Sequence, residues 1–158
     1  MKKILPFLLL FITSSTFSQL GQIKLKDLIR SSTYNFNDFS KFMNKCGYEF
    51  YNSESGKFNT STYKYDTIID KKRLIGICSL NKSDNGQSFI TYQINTLQEY
   101  ISLNEAVKKL NFRYFKKEND KGRSVLYFNR GDCEINLITR KENIPNKPFR
   151  YSLTVLNY

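Results

Sequence analysis

Histidine is missing from all 158 residues. Its absence excludes Ser-His-Asp and Cys-His catalysis, His-ligated metals and imidazole acid–base chemistry. Tryptophan is missing as well, which removes the usual residue for stacking on a sugar. Cysteine is scarce: Cys46, Cys78 and Cys133 allow at most one disulfide, and no two of them have the close spacing of a zinc or redox motif. Long apolar runs are missing too. The apolar stretch Ile4 to Ile12 is nine residues, interrupted by Pro6, and a spanning helix needs roughly 20. The 14 acids are scattered, mostly beside Lys or Asn, and none has the apolar setting that raises a general acid's pKa. These absences point to a non-enzymatic chain with no cofactor and no metal.

What is present begins with an export signal. Met1-Lys2-Lys3 is a positive start, Ile4 to Ile12 an apolar middle, and Thr16 and Ser18 are small residues before a cut at Gln19. The reading is a signal peptide over 1–18 and a single domain over 19–158, periplasmic or extracellular, soluble, with no transmembrane segment in the mature chain. The formal charge of +11 falls to +9 without Lys2 and Lys3. Such a balance favours an anionic partner, and export makes a protein or an anionic envelope component the expected one rather than nucleic acid.

The sequence also repeats a pattern. "CGYEFY" at 46–51 is echoed by "LNFRYF" at 110–115. Phe39, Phe42, Met43 and Cys46 have the spacing of one helix face, and 64 residues on, Leu103, Ala106, Val107 and Leu110 repeat it. Asp38 is the expected N-cap of the first helix, and Ser102 with Glu105 the expected capping box of the second. Gly47 and Asn111 are placed to close them. Strands are expected at 48–54, 60–66, 73–80 and 88–95, then at 112–118, 123–129, 133–140 and 149–157. "SDNG" at 83–86 and the residues 129–132 supply hairpin turns. Residues 20–36 read as a short helix or a strand packing on an end.

The fold class is therefore α+β: a tandem duplication of an α-β-β-β-β unit (37–95 and 96–158) forming one curved antiparallel sheet with two helices on one face. The layout is similar to the duplicated folds of the β-lactamase-inhibitor-protein and TATA-binding-protein classes. The "FSQ" at the signal end, "LKDLI", "GYEFY" and "LNFRYF" resemble small exported Bacteroidetes proteins of unknown function over most of the mature chain. Neither resemblance implies a binding residue.

"RGD" at 130–132 matches an adhesive tripeptide but sits where a turn is required. The aromatics mostly alternate within strands and read as core. Cys46 reads as a buried, unpaired thiol. Cys133 is expected on the inward side with Ile135 and Leu137, and Cys78 on the opposite side. Charge is uneven: residues 37–95 carry +2 and residues 96–158 carry +5. Lys117, Arg140 and Arg150, with Phe115 beside them, are expected to crowd one end of the sheet's open face as an anion-binding cluster. Their counterparts in the first unit are taken as Ser53, Leu80 and Phe89, all uncharged. The leading reading is an exported binding module. The alternatives are a carboxylate- or Tyr/Lys-based enzyme on that face, or a structural envelope protein.

Overall fold

The computed structural model describes residues 22–69, 72–94, 96–141 and 150–158. The expected signal peptide, the cut before Gln19 and Phe149 lie outside the described residues. The chain runs α1 (Leu25–Ser31), α2 (Phe36–Lys45), β1 (Glu49–Glu54), β2 (Asn59–Ile69), β3 (Lys72–Lys82), β4 (Ser88–Ile94), α3 (Leu97–Lys109), β5 (Arg113–Asp120), β6 (Arg123–Arg130), β7 (Cys133–Arg140) and β8 (Tyr151–Asn157). Every strand pair is antiparallel, and the eight-stranded order is β1-β2-β3-β4-β8-β7-β6-β5. Each half is a meander, and the last strand of each meets the other at the centre, from Ser88↔Asn157 to Ile94↔Tyr151.

Directly opposed residues of an antiparallel pair share a face. Tyr63, Cys78, Tyr92, Leu153, Leu137 and Leu126 thus form one continuous row. Leu80, Ile90, Val155, Ile135 and Phe128 form the next. All but the half-buried Leu126 are buried. The helices cover these rows. Phe39 of α2 packs edge-on to Tyr63 at 5.4 Å, and Tyr100 of α3 lies 5.0 Å from Tyr151. Ser88 Oγ donates to the carbonyl of Ser32, which ends α1. Among the described residues three helices therefore lie on this face, where the sequence led us to expect two; α1 is the segment whose helix or strand character stayed open. Among the described residues no helix is long and apolar enough to cross a membrane.

The helix starts also differ from expectation. Asn35, not Asp38, caps α2: its side chain accepts from Asp38 N at 2.8 Å and donates to Asp38 Oδ2 at 2.8 Å. Thr96, not Ser102, caps α3, accepting from Glu99 N at 3.1 Å. In both cases a polar residue upstream adds a turn before the apolar stripe begins, which periodicity does not register. The ends match expectation. Gly47 (φ 82°) and Asn111 (φ 59°) take the left-handed conformation that closes a helix. Tyr48 N bonds to Met43 O at 3.0 Å and Phe112 N to Val107 O at 3.2 Å. A β-bulge follows each, at Tyr51 between Phe50 and Asn52, and at Phe115 between Tyr114 and Lys116. Each of these features recurs 64 residues later.

Candidate binding site at one end of the open face

Among the described residues no helix covers the other face of the sheet. Across its middle runs the row Thr62, Ser79, Thr91, Thr154, Asn136 and Tyr127, all uncharged. The Thr62 and Ser79 hydroxyls lie 3.0 Å apart, and Thr60 Oγ1 donates to Asn81 Oδ1 at 2.8 Å. Strands bring these side chains to one surface by simple alternation. The amide oxygens Gln93 Oε1 and Asn136 Oδ1 are buried on this face and have no hydrogen-bond partner among the described residues.

Three arginines meet at one end. Arg140 ends β7 directly opposite Arg123, which opens β6. Arg140 N donates to Arg150 O at 2.8 Å, so Arg150 enters β8 at the same level. The Arg150 guanidinium lies 5.5 Å from the centre of the Tyr151 ring. The three arginines border a recess of about 620 Å³ that wraps the sheet's end and also reaches Thr139 and Tyr151. Burial, and then the neighbouring Arg123 charge, lower the pKa of Arg140 below the ordinary guanidinium value.

Of the four residues expected to cluster, the structure brings Arg140 and Arg150 together. Lys117 stands opposite Leu126, on the helix side. The bulge at Phe115 inserts one residue and so reverses the inward–outward alternation beyond it. Lys117 is also mid-strand, because β5 runs on to Asp120. Phe115 does face the open side, with its ring 5.9 Å from that of Tyr127. Tyr127 is four residues along β6 from Arg123, roughly 13 Å at strand rise, so Phe115 lies apart from the arginines. Arg123 takes the place expected of Lys117. Its signal was in the hairpin: counting outward from the turn at 131–132 pairs Arg130 with Cys133 and hence Arg123 with Arg140.

Other singled-out residues have structural roles. Arg130 of the "RGD" tripeptide donates to Leu110 O at 2.7 Å and stacks over Phe112 at 4.6 Å, and Gly131 turns the hairpin at φ 57°. Cys78 is fully buried on the helix side, the same side as Cys133 and not the opposite one as expected. Ile75 and Ile77 take the other side instead, so β3 sits one residue out of step with the expected register. Strands β4 and β8 separate Cys78 from Cys133. Three strand spacings are about 14 Å, beyond disulfide reach. Cys46 is half-buried, and burial, then Asp27, raise its thiol pKa.

Two groups of ionisable side chains bear on chemistry. On the open face, Tyr127 donates to Glu118 Oε2 at 2.5 Å and Lys116 pairs with the same carboxylate. The Lys116 hydrogen bond, then Tyr127, lowers the Glu118 pKa, while Glu118 raises those of Lys116 and Tyr127. Each shift moves away from neutral pH, opposite to the tuning of a general acid or base. In the core, Tyr92 donates to buried Glu99 at 2.6 Å. The Tyr48 hydroxyl lies 2.5 Å from where a Cβ on Gly76 would be, so only glycine leaves it room. Among the described residues no three His, Cys, Asp or Glu side chains gather as metal ligands. Comparison with family models, curated proteins and solved structures finds no match to the chain.

Proposed function

We propose that the chain is an exported, non-enzymatic binding module. The end of its open face where Arg123, Arg140 and Arg150 meet docks phosphate or carboxylate groups of an anionic envelope component. One observation carries the reading. Arg140 and Arg123 are held directly opposite each other on neighbouring strands, where like charges destabilise a sheet, and Arg140 is in no ion pair among the described residues. A guanidinium fork is suited to such oxyanions. Export rests on the leader-like start of the sequence.

We also read the two halves as tandem copies of one unit. The closing residues, closing bonds and bulges, each repeated 64 positions on, support this. Leu80 is core, opposite Ile90, and so is no counterpart of Arg140. Matching the ladders from their bulges sets Phe58, Ser83 and Gln87 against Arg123, Arg140 and Arg150. At these three positions the first half carries no charge.

The test is sedimentation with vesicles of phosphatidylglycerol against vesicles of phosphatidylcholine. The parent should bind the anionic vesicles, and the triple Arg→Ser variant should lose that binding while keeping its Tm. The uncharged row across the middle of the open face favours a second reading, a structural envelope protein. Equal binding by parent and triple variant would leave that second reading standing.

A further inference from the structure

A second concavity lies on the helix side of the sheet and is independent of the arginine cluster. It runs between residues 22–26 and α3 and has a volume of about 340 Å³. Ile23, Leu25, Leu103, Ala106 and Leu110 supply its apolar walls. Leu103, Ala106 and Leu110 recur at helical spacing and so make one stripe along α3. The groove follows α3 from Glu99 to Leu110, which at helical rise is roughly 16 Å. A narrow apolar channel of that length suits one extended acyl chain.

Its rim sets the charge of the ligand. Lys24, Lys26 and Lys109 all border the groove. All three are exposed, and none is in an ion pair among the described residues. Lysine can lay its methylenes along an apolar wall and still present its ammonium at the mouth. Glu99 borders the groove too, but its carboxylate is buried and accepts the Tyr92 hydroxyl at 2.6 Å. The accessible charge at the mouth is therefore positive.

We propose that this groove binds a single-chain anionic amphiphile. The medium-length acyl tail lies on the Leu103–Ala106–Leu110 stripe, and the anionic head sits among Lys24, Lys26 and Lys109. A fatty acid and a single-chain phosphate ester share this chemistry, so both are tested. Sodium laurate, dodecyl phosphate and dodecyltrimethylammonium are each titrated calorimetrically, below their aggregation concentrations, into protein beginning at Gln19.

Saturable one-to-one binding of laurate or dodecyl phosphate is expected, and the tighter of the two identifies the head group. The cationic amphiphile should bind at least about tenfold more weakly. Ala106→Trp should abolish binding by filling the channel. Should that variant fail to fold, Lys109→Glu is the second arm; it changes an exposed residue and should weaken binding by about tenfold. Three results would overturn the proposal: no saturable binding of either anion, cationic binding as tight as laurate, or unchanged affinity in Lys109→Glu. Binding seen only after removal of the residues before Gln22 would also overturn it, because the chain's own N-terminal segment would then be the occupant.

Discussion

Phe39 and Phe42 lie one turn apart on α2, but Phe39 is fully enclosed and Phe42 only half-buried, edge-on to Tyr34 at 6.1 Å. Periodicity made them equivalent; their burial is not. Phe39→Ala should cost about 3–5 kcal/mol as a core truncation, and Phe42→Ala less than half as much, by urea denaturation. Equal costs would place the helix face wrongly. Tyr48 and Tyr92 make a second prediction. Burial is the leading cause holding both pKa values far above an ordinary phenol, with the Cys78 charge next for Tyr48 and the Tyr48 charge next for Tyr92. A folded-state pKa raised above the unfolded value gives stability that is complete below the unfolded pKa, about 10 for tyrosine, and is lost above it. Following phenolate absorbance and circular dichroism together, Tyr48 and Tyr92 should ionise only as the fold is lost in alkali. Complete tyrosine ionisation with an intact spectrum would contradict the buried placement.

The elements were largely legible where a residue type has one physical use. Gly47 and Asn111 are the two best residues for a left-handed helix end, and both occupy one. The strands were legible because alternation is strong in segments such as Cys133–Arg140, and each observed strand lies within a few residues of its expected span. Two things were hidden. A cap several residues ahead of the chosen apolar stripe lengthens the helix beyond what that stripe shows, as at Thr96. A bulge adds a residue without a signature of its own, and the one at Phe115 moved Lys117 to the other face and broke up the expected cluster. The cap is testable. Thr96→Ala should cost about 1 kcal/mol, whereas Ser102→Ala, mid-helix and exposed, should change stability by less than about 0.5 kcal/mol. The reverse order in thermal denaturation would restore the shorter helix.

At the scale of the molecule, the β4–β8 ladder from Ser88↔Asn157 to Ile94↔Tyr151 joins the halves. Without it, residues 96–158 present β8 as a bare edge, and a unit of ~60 residues is marginal alone. The whole protein should unfold in one transition, and the fragment 96–158 should not fold; a stable, cooperatively melting fragment would show two independent units. The same sheet sets Arg123, Arg140 and Arg150 at one end, where we propose that an anionic surface docks. The most direct measurement is affinity for phosphatidylglycerol vesicles as a function of salt, for the parent, the Arg→Ser triple variant and Lys117→Ser. Binding by the arginine cluster predicts a parent affinity that falls steeply as salt rises, a weak and nearly flat response in the triple variant, and a Lys117→Ser response close to the parent's. A triple variant matching the parent in both affinity and salt dependence would contradict it.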